Sequence, residues 1–159
     1  MKLDLDIQVA CTEPVPGKDE IQLWVEAALA HTLAPAEISV RLVSETEMSS
    51  LNQQYRDKNG STNVLSFPAD LPAELELPLL GDIVICPAVV AREAAEQNKS
   101  LTQHWAHMLV HGSLHLLGYD HIDAAQADIM EPLETTLLQA LGYPCPYTGE
   151  IATAKAGAQ

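Results

Sequence analysis

The sequence predicts an α+β fold in which helices pack on a four-stranded mixed sheet, because strand-like segments come mostly first and helical segments mostly last. Residues 3–9 and 37–43 alternate apolar and polar side chains, as half-buried strands do. Residues 62–67 and 81–86 are two more segments that look like strands, and each is stopped by a proline. We expect these four segments to be the strands.

Helical spacing of apolar residues predicts helices in five segments, namely 18–33, 44–56, 87–98, 100–118 and 123–142. Ser44 and Ser100 each precede a Glu or Gln by three residues, which predicts a capping box, and Asp123 is the expected cap of the last helix. Gly118 is expected to end the fourth helix in the left-handed conformation. Pro132 predicts that the last helix is kinked or split in two.

The length and composition favour one domain with a substantial core, since the chain has 159 residues of which 47% are hydrophobic. We expect a single domain over residues 1–147 and a flexible tail over residues 148–159. Residues 1–9 lack the apolar stretch of a signal peptide, and the longest apolar run, 83–91, is too short to span a bilayer. A soluble, cytoplasmic protein without a membrane partner is therefore expected.

Cysteine use and charge narrow the function classes further. Cys11, Cys86 and Cys145 are widely separated and form no Cys-x-x-Cys pair, which fits a reducing cytoplasm and argues against cysteine as a metal ligand. The net charge of −14 repels polyanions at long range, so the composition alone does not suggest a nucleic-acid binder, and no DNA partner is expected.

Three histidines near the end of the fourth predicted helix have the spacing of a metal site. His111 and His115 are four residues apart, so they lie about 40° apart around the helix axis and their rings can converge on one ion. Gly118 lets the chain turn back, which brings His121 to the same point as a third ligand. Three nitrogen ligands leave one position of a tetrahedral zinc ion open to water, as in catalytic sites. The segment therefore predicts a zincin-like metal helix that binds one zinc ion.

Two neighbouring histidines and one glycine qualify this interpretation. His104 and His107 lie on the same helix face but are expected to be core histidines, outside the ligand set. In metzincins the residue after the first histidine ligand is a glutamate that acts as general base, whereas this chain has Gly112 at that position. A peptidase is therefore not expected. Three imidazoles would accept nickel and copper as well as zinc.

The motif regions 51–68, 80–85 and 111–121 together resemble the YbeY family of endoribonucleases, and the likeness covers most of residues 40–145. The resemblance implies a zinc-dependent, single-strand-specific endoribonuclease of the bacterial cytoplasm that matures the 3′ end of 16S ribosomal RNA and acts in ribosome quality control. It implies His111, His115 and His121 as zinc ligands and Arg56 as the functional arginine. Asn63 stands where many family members have Asp.

The residues and the resemblance together suggest a mechanism of metal-assisted phosphodiester cleavage. Zinc would activate water, and Arg56 would stabilise the developing charge with its planar, two-pronged guanidinium. Asp120 is a candidate to orient a ligand imidazole. Because the chain is so acidic, we expect either that the positive face is confined to a cleft with Arg56 and Lys58, or that a partner delivers the RNA. The resemblance suggests a small-subunit ribosomal protein and an Era-type GTPase as partners.

Two other classes of protein remain open. A metal-dependent hydrolase of peptides or small esters is suggested by the zincin spacing and opposed by Gly112. The other class is a non-catalytic ribosome assembly factor, in which the metal only pins His121 and the last helix to the core. Such a factor would have a fourth protein ligand where a catalytic site has water.

Overall fold

The computed structural model describes residues 3–30, 35–57, 60–69, 78–119, 124–144 and 146. Within these ranges it contains a four-stranded sheet and five helices, in the order β-α-β-α-β-β-α-α-α. The α+β fold class predicted from the sequence is therefore confirmed. No helix in the described ranges is long and apolar enough to cross a membrane.

The sheet is mixed, as predicted, and consists of β1 (Leu3–Ala10), β2 (Ala36–Val43), β3 (Val64–Pro68) and β4 (Leu79–Ile85). Its strand order is β1-β2-β4-β3. β1 and β4 both run parallel to β2, whereas β3 pairs antiparallel with β4. In the register, Ile7 lies opposite Val40 and Val40 lies opposite Ile83. Buried apolar residues of the two central strands, β2 and β4, thus form the sheet surface on which helices pack.

The five predicted helices are present as α1 (Lys18–Ala28), α2 (Glu45–Arg56), α3 (Pro87–Glu96), α4 (Leu101–Leu116) and α5 (Ala124–Ala140). α1 is shorter than predicted, because Leu29 already occupies the cap position and its amide donates to the last carbonyls of the helix. The predicted end at Leu33 lies outside the described residues. α3 likewise ends two residues before the predicted Asn98.

Both predicted serine caps are confirmed, although the capping box of α2 is only half formed. The Ser44 hydroxyl accepts the Glu47 amide at 3.2 Å, and the Ser100 hydroxyl accepts the Gln103 amide at 3.0 Å. The Glu47 carboxylate instead pairs with Arg41 on β2, with 2.7 Å between Oε2 and the guanidinium Nε. A bidentate ion pair to a guanidinium competes well with a single bond to a backbone amide. The third predicted cap, Asp123, is outside the described ranges.

The last helix is not split in two at Pro132, which was one of the two outcomes predicted from that proline. α5 runs unbroken from Ala124 to Ala140 with Pro132 inside it. Proline removes one helical hydrogen bond, but the buried residues Met130, Leu137 and Leu138 on either side of it anchor the helix to the core. Packing of the apolar face therefore outweighs the local cost of the proline.

α4 is the centre of the domain. It contacts α1, α3, α5, β3 and β4. From His104 to Leu114 every residue of this helix is buried, polar ones included. A helix that is covered on all sides belongs to the interior of a protein. The metal-ligand candidates are therefore carried by the most enclosed element of the fold, near its C-terminal end.

The two described cysteines, Cys11 and Cys86, are free thiols, and Cys145 lies outside the described part of the chain. The predicted tail over residues 148–159 also lies outside the described ranges, so the domain bounds stay predictions.

Candidate metal centre

Four histidines form a row along one face of α4. The ring centroids of successive pairs, from His104 through His107 and His111 to His115, are separated by 6.1, 6.1 and 4.5 Å. His104 is only 2% exposed, His111 is 9% exposed and His115 is half-buried. The row thus leads from the core towards the surface, and its outer end is the place that solvent and a substrate can reach.

The outermost pair converges as the sequence predicted. The Nε2 atoms of His111 and His115 lie 3.0 Å apart. The Nδ1 atom of His111 is 2.9 Å from a carboxylate oxygen of Glu134, and Nδ1 of His115 is 2.9 Å from the backbone oxygen of Tyr119. Each imidazole is therefore held through Nδ1, on the side of the ring that faces away from the other imidazole.

These contacts determine which nitrogen of each ring carries the proton. A carboxylate and a carbonyl oxygen only accept hydrogen bonds, so both Nδ1 atoms act as N–H donors. In the neutral rings the two Nε2 atoms then carry lone pairs that face each other across 3.0 Å. Two facing lone pairs require a positive charge between them. Neutral imidazole nitrogens in this arrangement are a donor set that suits zinc, so the residues present fit the metal that the sequence predicted.

The chain also has a buried metal-binding group that includes a carboxylate. His107, His111 and Glu134 each offer one ligand atom, and these atoms lie within 4.8 Å of one another. Glu134 Oε2 is 3.0 Å from Nε2 of His107 and 2.9 Å from Nδ1 of His111. His107, which was expected to be an ordinary core histidine, is thus part of the metal-binding group.

The charge states in this group follow from burial and hydrogen bonding. Burial alone would raise the pKa of the Glu134 carboxyl, but the hydrogen bonds from His107 and His111 hold that pKa well below its ordinary value. Burial lowers the pKa of His107, against the opposing hydrogen bond to Glu134. The pair is thus an ionised carboxylate beside a neutral imidazole that donates to it.

Glu134 was missed by the sequence analysis, which put forward Asp120 as the group that orients a ligand imidazole. Glu134 is 1% exposed and lies on the apolar face of α5, beside Leu137 and Leu138. A fully buried glutamate is rare unless it is paired, so a charge on the apolar face of a helix was the available signal. Asp120 and the third predicted ligand, His121, lie outside the described residues.

The chain leaves α4 as predicted. Gly118 has a φ of 103°, in the left-handed region that glycine favours, and the Tyr119 amide bonds back to the Leu114 carbonyl at 3.1 Å. This turn places the Tyr119 carbonyl beside His115. The turn therefore contributes to the site in its own right, through the backbone oxygen of Tyr119.

Gly112 faces the sheet. A Cβ atom at this position would lie 3.1 Å from Cγ2 of Ile83 and 3.3 Å from Oγ of Ser66. The Ser66 hydroxyl, on β3, donates to the Gly112 carbonyl at 3.1 Å. The glycine thus allows close packing of α4 on β3 and β4, and the position has no room for the glutamate that metzincins have there.

Arg56, the predicted functional arginine, is the last residue of α2 and is exposed. Asp57 follows in the left-handed conformation, with a φ of 54°, and ends the helix. Arg41 and Arg92 pair with carboxylates, whereas Arg56 pairs with no carboxylate in the described ranges. Lys58, which was expected beside it, is outside those ranges.

A second polar cluster lies at the inner end of the histidine row. Glu93 accepts a hydrogen bond from the Asn63 amide at 3.0 Å, and its carboxylate contacts Nε2 of His104 at 2.9 Å. The side-chain oxygen Oδ1 of Asn63 accepts a hydrogen bond from the Val64 amide at the start of β3. His104 is therefore a buried core histidine, as expected, and its Nε2 contact with Glu93 links α3, α4 and the start of β3.

The fold and the site together define a metal-binding α+β protein whose centre lies on a buried helix and opens towards solvent. The family model for endoribonuclease YbeY matches residues 10–142. The chain is 56% identical over 149 residues to endoribonuclease YbeY of Pseudomonas syringae pathovar tomato, covering 93% of this chain and 90% of that protein. It is 55% identical over 149 residues to endoribonuclease YbeY of Pseudomonas fluorescens, covering 93% of this chain and 98% of that protein.

Among solved structures, the solution structure of TM1509 from Thermotoga maritima is similar, with a TM-score of 0.58 and 27% sequence identity over 85% of this chain and 87% of that chain. This likeness is independent support for the arrangement of sheet and helices. The chain belongs to the YbeY endoribonuclease family. The resemblance predicted from the three motif regions is thus confirmed.

Proposed function

We propose that the protein is a zinc-dependent endoribonuclease that cleaves single-stranded RNA and matures the 3′ end of 16S ribosomal RNA in the cytoplasm, with a role in ribosome quality control. The observation that carries the proposal is the pair of Nε2 atoms of His111 and His115, 3.0 Å apart on the exposed side of the buried centre. Membership of the YbeY family supports the choice of RNA as the substrate.

In this proposal His111, His115 and His121 hold the zinc ion. His111 and His115 have their Nδ1 atoms engaged by Glu134 and by the Tyr119 carbonyl, which leaves Nε2 of each ring for the metal. His121 follows three residues after Gly118, whose left-handed conformation redirects the chain beyond the helix. A bound zinc ion would lower the pKa of a water molecule and polarise a phosphoryl oxygen, which supplies a nucleophile at neutral pH.

Arg56 is proposed to bind the scissile phosphate and to stabilise its developing negative charge. It is exposed and unpaired with the described carboxylates, so its five donors are available to a phosphate. Two contacts connect its surroundings to the centre. The Tyr55 ring packs edge-on against Phe67 at 5.2 Å between centroids, and the neighbouring Ser66 bonds to Gly112 beside His111.

The packing at Gly112 supports RNA over peptide as the substrate. A metzincin-type peptidase needs a glutamate after its first histidine ligand. Here even a Cβ atom would lie 3.1 Å from Cγ2 of Ile83, so a glutamate at this position would point at the sheet and would have to displace the Ile83 and Ser66 side chains. Phosphodiester cleavage needs positive charge at the phosphate, and an arginine can supply it.

The net charge of −14 supports a requirement for partners. A chain of this charge binds free RNA weakly, because the long-range field opposes the encounter. We propose that a small-subunit ribosomal protein and an Era-type GTPase bring the substrate to the site. Weak cleavage of free RNA that increases on assembling ribosomal subunits is the expected behaviour.

The decisive experiment is cleavage of 16S precursor RNA by the purified wild type, His111→Ala and His104→Gln, each with its bound metal counted. His104→Gln is the matched control, because it removes an imidazole from the same helix without touching the converging pair. We expect one metal ion per chain and cleavage in the wild type and in His104→Gln, and neither in His111→Ala. Equal cleavage by metal-free His111→Ala would contradict the proposal.

The same proteins incubated with a peptide panel and with duplex RNA test the substrate class. We expect no peptide hydrolysis and slower cleavage of duplex than of single-stranded RNA. Chelator-sensitive peptide hydrolysis that exceeds RNA cleavage would instead favour a hydrolase of non-RNA substrates.

A further inference from the structure

We propose that Glu134 is a positioning residue of the metal centre, which holds His111 in the protonation form and orientation that bind the metal, and that His107 in turn holds Glu134. This inference rests on the proposed function, because it assigns the metal to the His111–His115 pair. Glu134 is carried by α5, whereas His107 and His111 are carried by α4. The contact of Glu134 with these two histidines therefore joins the two helices at the site.

The geometry indicates that the Glu134 carboxylate holds the His111 ring in place. Oε2 of Glu134 lies 2.9 Å from Nδ1 of His111, the ring nitrogen on the side away from His115. A carboxylate in this position keeps the proton on Nδ1 and makes Nε2 a better ligand, as carboxylates behind zinc-binding histidines do. The ring is also kept from rotating, because the hydrogen bond fixes its plane relative to α5.

His107 completes the arrangement. It lies one helical turn before His111 on the same face, and its Nε2 atom is 3.0 Å from the same Oε2 of Glu134. Two imidazole donors on one oxygen hold the carboxylate in the plane it needs for His111. Both His107 and Glu134 are buried, with exposed fractions of 8% and 1%, so water does not compete for these bonds.

Stability alone is a poor reason to bury this carboxylate. Removing an ionised carboxylate from water costs several kcal/mol, and well-packed apolar residues of similar size are often as stabilising as a buried charged network. α5 places Glu134 beside the buried leucines 137 and 138, where an apolar side chain would pack. Packing therefore does not explain why a carboxylate is buried here, whereas a role in holding His111 does.

A direct ligand role for Glu134 is the competing assignment, since His107, His111 and Glu134 could hold an ion among themselves. In that arrangement the ion would replace the hydrogens that now join Oε2 to both rings at 2.9 and 3.0 Å. The site would then also be enclosed, without the open side that His115 provides. The open side at the His111–His115 pair therefore favours the supporting role for Glu134.

The test is zinc and cobalt binding by the full chain with Glu134→Gln. Glutamine has the same shape, but its uncharged amide can present an NH₂ group to His111 and favour the form with the proton on Nε2, which cannot bind metal. We expect zinc affinity, measured by competition with a chromophoric chelator, to fall about 10–100-fold. The cobalt absorption spectrum should shift, because the ligand field at His111 changes. His107→Gln should give a smaller loss in the same direction.

Glu131→Gln is the matched control, because it makes the same change one turn earlier on α5, outside the histidine contacts. It should leave zinc affinity and the cobalt spectrum as in the wild type. Thermal unfolding of each metal-free variant shows whether the fold is intact. Zinc affinity of folded Glu134→Gln that equals the wild type would overturn the positioning role.

The outcomes separate this inference from the proposed function. If His111→Ala keeps full zinc affinity, the metal is not at the histidine pair and the proposed function fails. If His111→Ala loses zinc but Glu134→Gln does not, only the positioning role fails. If Glu134→Gln loses zinc as completely as His111→Ala, and X-ray absorption of the wild type shows a carboxylate bound to the metal, Glu134 is a direct ligand and the inference is wrong.

Discussion

The Ser66 hydroxyl donates to the carbonyl oxygen of Gly112 across 3.1 Å, and so joins β3 directly to the turn of α4 that carries His111. The carbonyl of a helical residue already accepts the amide four residues on, so this is an added bond that fixes the height of α4 above the sheet. Position 112 has no side chain, and the helix can therefore approach Ile83 closely.

Gly112→Ala tests this close approach. The added Cβ atom would lie 3.1 Å from Cγ2 of Ile83, so the helix or the sheet must shift by a few tenths of an ångström. We expect the unfolding free energy to fall by up to about 2 kcal/mol, since overpacking costs about 1–3 kcal/mol and the better helix propensity of alanine returns about 1 kcal/mol. Urea unfolding of the wild type and of Gly112→Ala measures this change in unfolding free energy. In an Ile83→Ala background the loss should shrink, and an equal loss in both backgrounds would show that the contact is not the cause.

Arg56 is expected to affect cleavage and not stability. The side chain is exposed, so Arg56→Ala should change the unfolding free energy by no more than about 0.5 kcal/mol. Zinc content should be unchanged, while RNA cleavage should fall about 10²–10³-fold, as when one donor to a developing oxyanion is lost. Arg56→Lys should recover only part of the activity, because lysine cannot bind a phosphate in two-pronged fashion.

Arg92→Ala provides the control for general charge loss. Arg92 is also an exposed arginine, but it pairs with Glu45 at 3.2 Å. Its removal changes the net charge by the same amount as removal of Arg56. Equal losses of cleavage in the two variants would mean that Arg56 acts only through the overall field.

Zinc is expected to stabilise the fold, because the ligands are brought together only in the folded chain. At a free zinc concentration of 100 times the dissociation constant, the gain is about 2.7 kcal/mol. For a chain of this length that corresponds to a rise of about 5–10 °C in the midpoint of thermal unfolding. Differential scanning calorimetry with and without chelator measures this rise in the unfolding midpoint. His115→Ala should abolish the rise, and a full rise in that variant would place the metal elsewhere.

The Glu93 carboxylate is expected to make stability dependent on pH at the acid end. Although burial alone would raise its pKa, the hydrogen bonds from His104 and Asn63 lower the pKa from its ordinary value of 4.5. The unfolded chain then binds the proton more readily than the folded chain. The stabilisation is therefore fully present well above pH 4.5 and is lost as the pH falls through the lowered folded pKa.

Glu93→Gln gives the measurable consequence. We expect it to be about 1–2 kcal/mol less stable than the wild type at pH 7, and the difference to shrink as the pH falls below about 4.5. Urea unfolding at a series of pH values tests this. A difference that stays constant down to pH 3, or that grows, would be inconsistent with the lowered pKa.

The elements of the fold were predictable because their patterns are local. Alternation along 3–9 and 37–43 gave β1 and β2 nearly to the residue, and the serine caps Ser44 and Ser100 marked two helix starts. Spacing also predicted that His111 and His115 converge, since residues four apart on a helix share a face. The lengths of α1 and α3 departed from the expectation, and α5 is not split at Pro132.

The groups behind the ligands were not predictable in the same way. Glu134 lies 23 residues beyond His111, and only the packing of α5 on α4 brings the two together. No sequence pattern marks the backbone oxygen of Tyr119 as a partner of His115, because every residue has a backbone oxygen. The sequence therefore indicated which two histidines of α4 converge, while tertiary contact alone shows what holds their rings in place.

The burial of α4 has a consequence for the order in which the domain can assemble during synthesis. β1, α1, β2, β3 and β4 all precede it in the chain, yet α4 covers the apolar side chains of α1, β3 and β4. A chain made from its N-terminus leaves the ribosome with these surfaces uncovered until residue 116 and its neighbours have emerged. Exposed apolar surface of this kind promotes aggregation, so the elements that precede α4 are the part of the domain that a chaperone bound to the nascent chain would protect.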